Sequence, residues 1–167
     1  MPVELGGNRV TVRGSSTMTS YRAPDLSQHP PRSPRVRLGG FVHLPRLLDK
    51  ARAQTMGKLG DYVFPCPLDK RFFGFTGIDA DAFLVEVKQG KSDTAMLAWV
   101  ESAMKPLRLP HEIEAWSCWL ERLAPGDADR HAGFADTLRA IAPGRADIRT
   151  SFDRLDLDDY VSFGGVA

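Results

Sequence analysis

Residues 110–126 read PHEIEAWSCWLERLAPG, and their pattern decides the fold class. Ile113, Trp116, Leu120 and Leu123 recur at spacings of three, four and three, the period of one helix face. Pro110 suits the first helical position, and Glu112 and Glu114 oppose the positive end of the helix dipole. Pro125-Gly126 closes the segment. An amphipathic helix follows, with Trp116 mid-stripe and expected to be buried.

The same signals repeat on both sides. Towards the C-terminus, Asp127 caps a helix bearing Phe134, Leu138 and Ile141, closed by Pro143-Gly144. A last helix carries Ile148, Phe152 and Leu155, before a tail DLDDYVSFGGVA in which Tyr160 and Phe163 read as a docking anchor. Towards the N-terminus, Ser92 caps a helix with Met96, Leu97, Val100 and Met104 on one side, ending before Pro106. Asp79 caps residues 80–89, with Ile78 and Phe83 placed as a hydrophobic staple and Gly90 as the stop. Pro67 opens a short turn of helix, Leu68 to Phe73, stopped by Gly74, after an extended piece at Tyr62-Val63-Phe64. Leu44, Leu47, Leu48 and Ala51 form a further stripe that begins at Pro45 and ends at Gly57 or Gly60. The expected class is all-α, an irregular bundle of six or seven short helices. Neither alternating strands nor a fixed-period repeat is present.

Residues 22–40, RAPDLSQHPPRSPRVRLGG, are not a helix. Their prolines remove donors and push neighbours to extended geometry. They read as an extended Pro/Arg-rich arm with polyproline character that ends at Gly39-Gly40. Residues 1–20 read as a mobile N-terminal extension, with Met18 as the expected native start. Residues 21–167 read as a single helical domain.

The chain has 167 residues and a net charge of +1, which hides an asymmetry. Residues 1–60 carry ten Lys/Arg against three Asp/Glu, or +7, and residues 61–167 twelve against eighteen, or −6. The basic arm either lies across the acidic body or faces an anionic partner. No apolar run approaches the ~20 residues that span a bilayer, and no signal-peptide pattern is present, so no membrane partner is expected. Cys66 and Cys118 are expected as free thiols in a reducing cytoplasm.

Arg32, Arg35, Arg37 and Arg46 are the anion-binding candidates, since guanidinium forks hold phosphate and carboxylate in bidentate fashion. The competing reading pairs them with Asp156, Asp158 and Asp159 of the tail. Cys66 lies at the start of a short helix, close to Asp69 and Arg71, where a thiolate is stabilised; the plainer reading is a small capping residue. His111, Glu114 and Cys118 share one helix and reach a zinc ligand count only if His43 or His131 joins them, so no metal is expected. Trp99, Trp116 and Trp119 read as core or interface before ligand pocket. Asp156, Asp158 and Asp159 have the chemistry of acid–base or metal groups, but consecutive acids are more often a cap and a solvated face. No catalytic residue and no cofactor can be named.

Four stretches, PRSPRVRLGG, LPRLLDKARA, CPLDKRFFGFTGID and LDLDDYVSFGG, occur in that order. They resemble the bacterial family of domain of unknown function 5069, from about Tyr21 to Gly165. The resemblance implies a small cytoplasmic bacterial protein and transfers no activity, cofactor or site residue. Three functions stay open. The first is a non-catalytic binding or interaction module with a small anionic molecule or a protein as partner. The second is a small enzyme acting on a phosphate or carboxylate compound, its site gathered from the arm, Asp69, Arg71 and the tail acids. The third is nucleic-acid binding by the arm, which the near-neutral balance and the lack of interleaved aromatics disfavour.

Overall fold

A computed structural model describes residues 23–167; the expected extension, residues 1–20, lies outside them. The described chain is mostly helical. A two-residue ladder, β1 (Arg37–Leu38) and β2 (Phe41–Val42), turns at Gly39-Gly40. Seven helices follow: α1 (Leu44–Thr55), α2 (Pro67–Thr76), α3 (Ala80–Lys88), α4 (Asp93–Ala103), α5 (Pro110–Glu121), α6 (Ala128–Ile141) and α7 (Ser151–Ser162). Asp79, Ser92, Asp127 and Thr150 each accept a backbone N–H at a helix start.

α1 is the centre of the fold. Its first ten residues, Leu44 to Ala53, are all buried. The expected one-sided stripe is thus a helix enclosed on every side. Its apolar residues meet Phe72, Phe83, Met96 and Val100 from the following helices. Its four charged residues, Arg46, Asp49, Lys50 and Arg52, are buried with ion partners. A buried charge is tolerated only when paired and hydrogen-bonded. Three basic residues of the first sixty, Arg46, Lys50 and Arg52, are here paired with carboxylates of the acidic body.

Three expectations need correction. α2 runs through Gly74 and stops at Gly77, whose φ of 68° is the left-handed cap. A Cβ at Gly77 would lie 2.0 Å from the carbonyl oxygen of Lys105, so only glycine fits. The acidic tail is helical, since Thr150 and Asp153 form a capping box that starts α7 after Ile148. Trp116 is half-buried; it stacks on Phe75 at 4.7 Å and meets Phe41 and Phe72 edge-on. α6 forms where expected, capped by Asp127, and none of its residues is buried. No described helix is long and apolar enough to cross a membrane.

The arm, without regular structure from residue 23 to the ladder, is tied to the body. Leu26 is buried and its N–H donates to the Lys58 carbonyl at 2.9 Å. Ser117 of α5 is buried and pins the hairpin, donating to the Gly40 carbonyl and accepting from the Val42 N–H.

Candidate functional site

The candidate arginines Arg32, Arg35, Arg37 and Arg46 all meet carboxylates. Arg32 grips Asp49 through Nε at 2.9 Å and Nη2 at 2.8 Å, and reaches Asp93 at 2.6 Å. Burial opposes the charge on Arg32, and its bonds to Asp49 and Asp93 outweigh that and raise its pKa. Arg35 donates to Asp153 and, at 3.3 Å, to Asp156. Arg37 reaches Glu114 at 2.5 Å and Glu121 at 3.1 Å. Arg46, 2% exposed, holds Asp159 at 2.6 and 3.2 Å, and the Tyr62 hydroxyl donates to the same carboxylate at 2.7 Å. Asp158 is exposed beside Tyr62 and Phe163.

A second constellation lies where α1 meets α2. His43 precedes α1 with φ 66°, a left-handed conformation, and its side chain is fully enclosed. Its Nε2 lies 2.8 Å from Asp69 Oδ1. Asp69 Oδ2 accepts from the Lys50 ammonium at 2.6 Å and from the Cys66 N–H at 2.7 Å. Lys50 also donates to Cys66 Sγ at 3.2 Å and to the Val63 carbonyl at 3.1 Å. The bond from the Cys66 N–H to Asp69 caps the start of α2, while the cysteine side chain makes no cap hydrogen bond of its own.

The charges in this cluster are well defined. Burial raises the Asp69 carboxyl, but His43 and Lys50 outweigh it, and the pKa falls. Asp69 is therefore ionised. Burial lowers the His43 imidazole, reinforced by Lys50 and Arg46 and opposed by Asp69. His43 is thus neutral at pH 7, with Nε2–H donating to the carboxylate and Nδ1 left as a bare acceptor. Nδ1 has no hydrogen-bond partner.

His43, Cys66 and Asp69 bring ligand atoms within 4.8 Å of one another, a set with the chemistry of a zinc site. The fit to a metal is poor. Lys50 already places its cation against both Asp69 and Cys66, and a divalent ion there would displace it. The cluster reads as an ion-paired network that orients Cys66.

Cys66 also lines a cavity of about 670 Å³ between α2, α6, α7 and the segment after α5. Leu68, Phe134 and Leu155 supply apolar walls, and Arg71 and Arg154 supply guanidinium groups. Arg71 lies over Trp119, 5.5 Å from the ring centroid, and Arg154 over Phe134 at 5.9 Å. Neither has a carboxylate within ion-pairing distance among the described residues. Arg154 Nε is buried without a hydrogen-bond partner. Arginine left unpaired beside an apolar cavity is the feature that the arm lacks.

Residues 28–161 match the model of DUF5069, a domain of unknown function. The chain belongs to this family. No curated protein matches it. Within this family member, the structure brings Cys66, Asp69 and Arg71 to one place and keeps them apart from the tail acids, of which Asp156 meets Arg35 of the arm, Asp159 meets Arg46 and Tyr62, and Asp158 is exposed. His111 and His131 are exposed, and Cys118 donates to Glu114, so these do not assemble with His43. Sequence reasoning missed Lys50 and Arg154. The signal for Lys50 was four charges within the ten residues LPRLLDKARA, too many for a stripe that is wholly enclosed.

Proposed function

We propose that the protein binds a small anionic molecule, a carboxylate or phosphate ester with an apolar part, in the cavity between α2, α6 and α7. One observation carries this reading: Arg71 and Arg154 face a cavity with no carboxylate partner among the described residues, while Arg32, Arg35, Arg37 and Arg46 are all engaged. Guanidinium groups seek bidentate anions, and apolar walls bind the rest of a ligand. The engaged arm leaves little free charge for nucleic acid. Both cysteines are free thiols, which supports a cytoplasmic setting.

Phenyl phosphate and inorganic phosphate are suitable probes in thermal melts. A ligand at about 100 times its Kd stabilises the folded state by about 2.7 kcal/mol. Phenyl phosphate should raise the melting temperature more than phosphate does, and Arg71→Ala with Arg154→Ala should abolish the rise. An equal rise in that double variant would refute the cavity. A rise lost instead in Arg35→Ala and Arg37→Ala would move the anion site to the arm.

A further inference from the structure

We infer that Cys66 is a nucleophile, and that it forms a covalent S–C bond with an electrophilic carbon of the anion held by Arg71 and Arg154. The inference rests on the anion-binding reading of the cavity and adds chemistry to it.

The placement of the sulfur is the first ground. Cys66 is half-buried and is one of the residues that line the cavity. Its Sγ accepts from one charged donor, the Lys50 ammonium at 3.2 Å. A thiolate accepts such bonds better than a thiol, and the thiolate is the attacking species. Lys50 is 2% exposed and cannot swing into solvent, because Asp69 holds it at 2.6 Å. Asp69 is held in turn by His43 and by the Cys66 N–H. The order runs from His43 through Asp69 and Lys50 to Cys66, with each member fixed by the one before.

A second ground is independent of the cysteine. Among the described residues, two buried side-chain polar atoms lack a hydrogen-bond partner: His43 Nδ1 and Arg154 Nε. One belongs to the enclosed end of the polar chain, the other to the cavity wall. Buried unsatisfied groups are rare and collect at functional sites. Cys118 supplies the contrast. Its thiol donates to the exposed Glu114 carboxylate at 3.2 Å, with Arg37 Nη2 3.7 Å away.

The step balances without another reactant. The Cys66 thiol gives its proton to solvent, and Lys50 holds the charge on sulfur. The sulfur lone pair forms the S–C bond. The bond from that carbon to its leaving group breaks, and its electron pair departs with the leaving group. Arg71 and Arg154 hold the anionic end and touch no bond that changes.

Iodoacetamide and iodoacetate test the two parts separately, since both alkylate thiols and only the second is an anion. Cys118→Ser leaves Cys66 as the one thiol, and Cys66→Ser leaves Cys118. Intact mass at neutral pH gives the rates. Iodoacetamide should modify Cys66 about tenfold faster than Cys118, as an activated thiol requires. The iodoacetate-to-iodoacetamide rate ratio at Cys66 should exceed that of the urea-unfolded chain by about tenfold. Arg71→Ala and Arg154→Ala, each in the Cys118→Ser chain and folded by thermal melt, should return that ratio towards the unfolded value. If iodoacetamide reacts no faster at Cys66 than at Cys118, the nucleophile is refuted and the anion site stands alone. If Cys66 is fast but the ratio matches the unfolded chain, the anionic electrophile is refuted, and the roles of Arg71 and Arg154 with it.

Discussion

His43 shows how one side chain couples the fold to pH. It sits enclosed, stacked on Phe152 at 6.0 Å, with Asp69, Lys50 and Arg46 as its charged neighbours. Its pKa is lowered chiefly by burial. The folded state therefore binds fewer protons than the unfolded chain below the ordinary histidine value of about 6.5. Stability from this group is fully present above that value and is lost as pH falls through it towards the folded pKa. Asp69 acts in the same direction at lower pH, since its depressed pKa stabilises the fold above about 3.9 and fails only in stronger acid. Urea midpoints should thus fall between pH 7.5 and pH 5.5 (roughly the arms of the histidine window). His43→Asn, a residue that tolerates the left-handed backbone, should flatten that fall. An unchanged slope in the variant would place the titration elsewhere.

At the scale of the element, α1 carries the contrast between buried and exposed pairing. Arg46 and Asp159 are both buried, and among the described residues Tyr62 is their one further hydrogen-bonding side chain. Arg46→Ala leaves Asp159 enclosed and uncompensated, and should cost about 3–5 kcal/mol. The Arg35 side chain is 43% exposed, so solvent screens its bonds to Asp153 and Asp156. Arg35→Ala should cost about 1 kcal/mol or less. Chemical denaturation of both variants distinguishes them, and equal losses would contradict this division. The sequence carried the helices here, because caps, prolines and spacings act over one or two turns. It did not carry their depth. LPRLLDKARA reads as a stripe with charges on its far side; only the arrival of Asp159, Asp69 and Asp93 from distant segments makes all of it interior. The same holds for the site. The Cys66 and Asp69 pair was legible as a capping pattern three residues apart. Lys50, His43 and Arg154 join it only through contacts across the fold, which no local spacing records.

For the molecule as a whole, stability is uneven, and the cavity lies at the weak end. The main cluster surrounds α1, and a smaller one joins Val42, Leu120 and Phe152. α6 belongs to neither and has no buried residue. Its Phe134 faces the cavity and Arg154 more than any core. Its stripe marked the helix but not its depth: three apolar residues at helical spacing suffice for a helix, but they stabilise it only where a partner face is present. An element with few buried contacts opens at low free energy, independently of the rest. The amides of residues 128–141 should therefore exchange with deuterium faster than those of α1, α2 and α5, by about a hundredfold or more if the difference in opening free energy is near 3 kcal/mol. Phenyl phosphate in the cavity would bridge Arg154 and Arg71 beneath Phe134. It should then slow exchange in α6 selectively, leaving α3 and α4 unchanged, because only α6 gains a partner. Uniform protection across the chain would mean that the ligand acts on global unfolding alone, and that α6 does not close on it.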